Sequence, residues 1–260
     1  MVQLKFLSFL LAKRAPEPTC KAKVDVGFVL DSSGSLRNDY DKEKDFLKAL
    51  AATFGVSDDG ARAGVVTFSY YTEHSIKLND HTSLDTFNEA VDNIKLMGST
   101  TRIDKALRMT QKDMFTIANG GRPGVNKVLI VLTDGSQTQD AGAEDPGNVA
   151  EELRNKGIRV LAVGIGKGVN ATELAHIAGG KENVFSADSF DQLVSREFLD
   201  TVNDAGCKEG RCFAKLLGLI DFWSVSSPRL GYNVIKSHLL SLVSAEGFVM
   251  FGKKIRLTGS

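Results

Sequence analysis

Residues 24–36 read VDVGFVLDSSGSL, and this stretch decides the fold. An apolar run ends at Asp31, and Ser32, Ser33, Gly34 and Ser35 follow before the next apolar side chain. Near-continuous aliphatic runs of this length mark a strand buried on both faces, as in parallel sheets. The polar loop at its carboxyl end is where such sheets place their ligands.

Outward from this strand the pattern repeats. ARAGVVTFSY (61–70), KVLIVLTD (127–134), IRVLAVGIG (158–166) and NVFSAD (183–188) read as further strands. TEHSIKL (72–78) follows the 61–70 run so closely that the two form a hairpin with the second arm at the sheet edge. Helical periodicity fills 39–54, 83–96, 102–118, 147–156, 171–179 and 189–204, and in the first of these Phe46, Leu47, Leu50 and Phe54 share a face. The alternation predicts an α/β fold: a doubly wound, mostly parallel sheet with one antiparallel edge strand and helices on both faces.

Composition limits what else the chain can be. With 260 residues, 42% hydrophobic and 25% charged, it can bury a core as one large domain or two small ones. Lys plus Arg balance Asp plus Glu at 32 each, yet residues 24–207 hold 28 acidic and 19 basic side chains. An acidic body lacks the clustered positive surface that nucleic acid requires. No run approaches the ~18 apolar residues of a membrane-spanning helix.

The termini differ in character from this body. Residues 1–23 carry a short apolar run from Phe6 to Ala12, closed by Lys13 and Arg14, and are expected to be an export or processing segment. The domain proper is expected over 24–206. After it, 207–260 loses periodicity and is read as an atypical tail. One reading of the tail is a small second domain or a basic membrane-surface segment, and the other is sequence without an evolved fold, which the lost periodicity favours.

The three cysteines, Cys20, Cys207 and Cys212, include no CxxC pair, and the four histidines are scattered, so zinc coordination is not expected. Cys20 and Cys207 bracket the patterned region. They are read either as a disulfide joining the domain's ends, which would place the protein outside the reducing cytosol, or as two free thiols. Cys212 is left over and available to a second chain. Asn170-Ala171-Thr172 is the chain's single N-glycosylation sequon.

Three polar clusters carry the chemistry. Asp31, Ser33 and Ser35 alternate along one loop, with Gly34 allowing the turn between them. GSTT (98–101) opens a helix, and LTDG delivers Asp134 from the end of another strand. Two carboxylates with three neutral hydroxyls make an all-oxygen site suited to a hard divalent ion, magnesium with manganese as a substitute.

These motifs, in this order, closely resemble the von Willebrand factor A domain and its metal-ion-dependent adhesion site, over 24–204. The resemblance implies that Asp31, Ser33, Ser35, Thr100 and Asp134 surround the ion. It implies a secreted adhesion module of the extracellular matrix, not an enzyme, whose metal is completed by a carboxylate from a collagen-like or other matrix protein. It also implies that the last helix can shift with ligand affinity. The second threonine of the family's G-x-T-x-T loop falls at Arg102 here. Leu36, Tyr70, Tyr71, Gln137 and Gln139 are the rim side chains expected to choose among ligands.

Two other readings compete. Asp31 after a first parallel strand also resembles magnesium phosphatases whose nucleophile opens D-x-D, but Ser33 stands where their general acid would be. An intracellular A-domain scaffold is the remaining alternative, opposed by the bracketing cysteines.

Overall fold

The computed structural model describes residues 23–207. The segments 1–22 and 208–260, with Cys20, Cys212, the export segment and all but the first residue of the tail, lie outside the described residues.

Six strands form one sheet: β1 (Val24–Asp31), β2 (Arg62–Phe68), β3 (Thr72–Ile76), β4 (Asn126–Thr133), β5 (Ile158–Ile165) and β6 (Val184–Ala187). Their order is β3-β2-β1-β4-β5-β6. All pairings are parallel except β2 with β3, which run antiparallel with an irregularity between Val65 and Val66. The helices are α1 (Tyr40–Phe54), α2 (Leu84–Asn93), α3 (Ile103–Met109), α4 (Pro146–Asn155), α5 (Ala171–Ala178), α6 (Phe190–Leu193) and α7 (Arg196–Gly206).

Alternation along the strands feeds two cores. Phe28, Leu30, Ile130 and Leu132 pack on one face with Phe46, Leu50 and Phe54 of α1 and Val202 of α7. Val29, Leu129 and Val131 pack on the other with Ile103 and Leu107 of α3, Leu153 of α4 and Leu174 of α5. All eight residues of β1 are buried, as an unbroken apolar run requires.

Two expected helices are interrupted. The 102–118 helix ends as α3 at Met109, continues as a π turn over Thr110–Met114, and closes with a 3-10 turn at Ile117–Asn119. The π turn seats Met114 and Phe115 on β1 at Gly27, where any Cβ would lie 2.1 Å from the Met114 sulfur. The 189–204 helix divides into α6 and α7, because Ser195 leaves the helix and accepts a hydrogen bond from the Phe198 N–H as the cap of α7.

β1 and β4 are neighbours, and the chain leaves them in opposite directions across the sheet. Their shared carboxyl end is therefore the point where strand order reverses, and it opens the crevice in which such sheets bind ligands. Asp31 closes β1 there, and Asp134 follows β4 by one residue.

Candidate metal centre

Three of the five expected site residues, Ser33, Ser35 and Asp134, are joined in this crevice by a chain of oxygen contacts, and Asp31 is tied to Ser33 through the backbone. The hydroxyls of Ser33 and Ser35 lie 3.0 Å apart, and Ser35 donates to Oδ1 of Asp134 at 2.8 Å. Asp31 is held from behind: the Ser33 N–H donates to Oδ1 at 2.8 Å and the Thr133 hydroxyl to Oδ2 at 2.6 Å. Each of its oxygens retains a lone pair for a further partner.

The fit to a hard cation is geometric as well as chemical. Neighbouring oxygens around an octahedral ion at 2.0–2.1 Å stand about 2.9 Å apart, close to the observed Ser33–Ser35 and Ser35–Asp134 separations. Among the described residues no three His, Cys, Asp or Glu side chains gather as a metal cluster. Beside the two carboxylates the side chains gathered here are hydroxyls, an all-oxygen donor set of the kind that hard ions take.

Electrostatics act in the same direction. Burial, with the charge of Asp134 nearby, pushes Asp31 up to about 6 against the hydrogen bonds from Thr133 and Ser33. Asp134 is raised as well, first by burial. A divalent cation would relieve both carboxylates of that strain.

The expected fifth donor, Thr100, is exposed, and no described side-chain hydrogen bond involves it. Its neighbour Thr101 faces the Asp134 loop instead. The Thr101 hydroxyl lies 3.6 Å from where a Cβ on Gly135 would sit, and its backbone exchanges hydrogen bonds with Thr138. Nothing in the string GSTT distinguishes two adjacent threonines. Gly34 also differs from expectation. It does not take a left-handed conformation, and a Cβ there would meet nothing closer than 3.6 Å, so the loop turns without needing a glycine at this position.

Arg102, where the resemblance placed a departure, is buried and binds Asp104 with two nitrogens at 2.9 and 2.7 Å, Asp140 at 2.6 Å and the Gly142 carbonyl at 3.1 Å. Gln137 donates to Asp104 Oδ1 and accepts from the Asp104 N–H. Burial works to raise Asp104, but the Arg102 fork and the Glu144 and Gln137 donors outweigh it and hold the carboxyl at about 2. This knot fastens the loop carrying Asp134 to the start of α3. Gln137, at 5% exposure, is therefore a structural clamp, and fully buried Leu36 belongs to the core, so neither is a ligand-choosing side chain. Gln139, Tyr70 and Tyr71 remain exposed at the rim.

Glu43 carries no signal in the sequence. It is fully buried on α1, and neither carboxyl oxygen has a hydrogen-bond partner among the described residues. Burial, then the charges of Asp31 and Asp134, push it well above the usual carboxylate range. A groove of about 400 Å³ runs along α3 between Thr72, Lys105, Arg108 and Glu144, and no oxygen of the Asp31–Asp134 cluster lines it.

The sequence profile of the von Willebrand factor type A domain matches residues 25–199. This chain belongs to that family. The A domain resembles von Willebrand factor A domain-containing protein 2 of Xenopus laevis, with 31% identity over 194 residues, 74% of this chain and 24% of that protein. It is 36% identical over 234 residues to the collagen alpha-6(VI) chain of Mus musculus, 87% of this chain and 10% of that one. That coverage exceeds residues 1–207, so the similarity runs past Cys207. The chain spans a quarter or less of these two relatives.

Among solved structures, the A domain matches proximal thread matrix protein 1 of the mussel byssus with a TM-score of 0.68 and 30% identity, covering 72% of this chain and 48% of that one. A further structure of that protein, with a zinc-occupied MIDAS motif, matches with a TM-score of 0.67. These similar proteins include a collagen chain and a matrix protein, and one neighbour holds a divalent metal at its MIDAS motif. Among the described residues no helix is long and apolar enough to cross a membrane.

Proposed function

We propose that this A domain is a secreted adhesion module that binds a protein ligand through a magnesium or manganese ion. Asp31, Ser33, Ser35 and Asp134 hold the ion, and a threonine of the 98–101 loop joins them, either the expected Thr100 or Thr101. The observation that carries the reading is the chain of contacts from Ser33 through Ser35 to Asp134 above the buried Asp31. A bound divalent ion supplies an electrophilic position that an aspartate or glutamate of the partner can fill.

The protein's own groups set up that position. Thr133 and the Ser33 N–H orient Asp31, and the Ser35 proton points at Asp134, which leaves the hydroxyl lone pairs for the ion. Two carboxylates only balance a doubly charged ion, so an incoming carboxylate is not repelled. The relatives support a matrix ligand, collagen-like or otherwise, and the acidic body opposes nucleic acid. The domain is a binding module and not an enzyme, since Ser33 occupies the position of a phosphatase's general acid. Secretion accords with the disulfide-bonded state of Cys207, whose partner we take to be Cys20, and Cys212 offers a link to a second chain.

The test is calorimetric titration of magnesium, then manganese, into the full chain and its Asp31→Asn variant. Asparagine keeps the buried shape and an acceptor for the Ser33 N–H. Saturable binding in the parent and its loss in the variant is the expected result. Equal affinity in both would remove Asp31 from the site.

A further inference from the structure

We infer that Asn170 carries an N-linked glycan that walls off the β5 side of the metal rim, so that a protein ligand enters from the Tyr70–Tyr71 side. The consequence for ligands rests on the metal-site reading above, whereas the modification itself does not.

Asn170, Ala171 and Thr172 are all exposed. The Asn170 Oδ1 accepts from the N–H groups of Thr172 and Glu173 at 3.0 and 3.2 Å as the cap of α5. No hydrogen bond engages its Nδ2 among the described residues. The division of labour suits modification. In the transfer, Nδ2 attacks the anomeric carbon of a lipid-diphosphate-linked oligosaccharide, loses one proton to base, and forms the N–C bond as the C–O bond to the diphosphate breaks. Oδ1 stays an amide oxygen, so the cap survives the reaction.

The sequon is fastened to the metal loop on both sides. Two residues before it, a Cβ on Gly168 would stand 2.5 Å from the Asp134 carbonyl oxygen, so the two loops touch, and the Ser136 hydroxyl donates to the Gly168 carbonyl. Three residues after it, Glu173 accepts from the Gln137 N–H at 3.0 Å. β5 is the next strand beyond β4, about 5 Å away, so Asn170 stands at the same carboxyl-end rim as Asp134. A bulky, hydrated oligosaccharide rooted there covers that flank.

The opposite flank is built for contact. Tyr70 and Tyr71 follow β2, the neighbour of β1 on its other side, and are 39% and 73% exposed. Their rings meet edge to face at 5.0 Å, and the Lys105 ammonium lies 3.8 Å from the Tyr70 ring centre while donating to the Tyr70 carbonyl. Aromatic side chains held rigid in this way are favoured at protein interfaces.

The experiment sends the full chain, behind a foreign export signal, through the secretory pathway of cultured animal cells. Peptide mass spectrometry before and after N-glycosidase treatment is expected to find Asn170 glycosylated and converted to aspartate on release. An unmodified Asn170 in the exported protein overturns the modification. The wall is tested with Ser136→Cys and Tyr71→Cys, each labelled with a polymer-bearing maleimide after the parent's own reactivity is subtracted. Each is compared with the same variant carrying Thr172→Ala, which removes the sequon and keeps the Asn170 cap. The glycan is expected to slow labelling at 136 several-fold and to leave 71 unchanged; equal rates at 136 overturn the wall. Magnesium titration of the Thr172→Ala protein reports separately on the metal reading, since its failure there would leave the glycan result standing.

Discussion

The hydroxyl of Ser35 donates to the carboxylate of Asp134 at 2.8 Å across 99 positions of sequence. The bond closes the crevice between β1 and β4 and aligns both groups toward one point. Ser35→Ala removes a donor and leaves the backbone alone. We expect magnesium affinity to fall by about tenfold or more, equivalent to ~1.4 kcal/mol, with thermal stability nearly unchanged. Calorimetry beside a melting curve checks both parts.

The two adjacent threonines separate cleanly. Thr101→Val is expected to weaken magnesium binding, and Thr100→Val to leave it alone, because Thr101 faces Gly135 while Thr100 is exposed. The opposite ranking would return the fifth donor to Thr100.

Burial raises Asp31 to about 6, so metal binding is expected to depend on pH. A raised carboxyl contributes stability to the metal-free fold below its unfolded value of 3.8, and that contribution is lost as pH rises through about 6. The ion needs the carboxylate, so its affinity runs the other way. It is expected to fall toward tenfold per pH unit below about 6 for one coupled proton. Titrations in buffers on either side of that value measure the slope.

Glu43→Met replaces a buried carboxyl that lacks partners with an apolar chain of similar length. We expect a gain of about 1–3 kcal/mol, read by denaturant unfolding of both proteins. A loss of stability would mean that the carboxyl is satisfied in solution.

Arg102 and Asp104 form a buried pair, each with side-chain exposure of 3%. Arg102→Met strands a buried carboxylate and is expected to destabilise by about 3–5 kcal/mol. Adding Asp104→Leu should recover much of that loss, as a double-mutant cycle would reveal.

The strands were readable because the chemistry of burial is local: VDVGFVLD and KVLIVLTD are apolar on both faces, and the structure buries both as neighbouring parallel strands. The ends of helices were less readable. The break at Val194–Ser195 depends on a serine chosen as a cap, and the π turn at Thr110–Met114 depends on a glycine in a distant strand. Gln137 looked like a surface glutamine because its sequence neighbours are polar, yet its partner Asp104 lies 33 positions away.

The sequence by itself determined the α/β alternation and the family, and it singled out Asp31, Ser33, Ser35 and Asp134 as candidates, since periodicity and short motifs are written in consecutive positions. Tertiary structure alone decided that β1 lies beside β4, which brings those carboxylates into one crevice. It also decided that the Thr101 hydroxyl faces Gly135 while Thr100 is exposed, that Arg102 ties down the loop carrying Asp134 and that the Glu43 carboxyl is buried on α1. Each of these depends on distances between residues far apart in the chain, which no local pattern encodes.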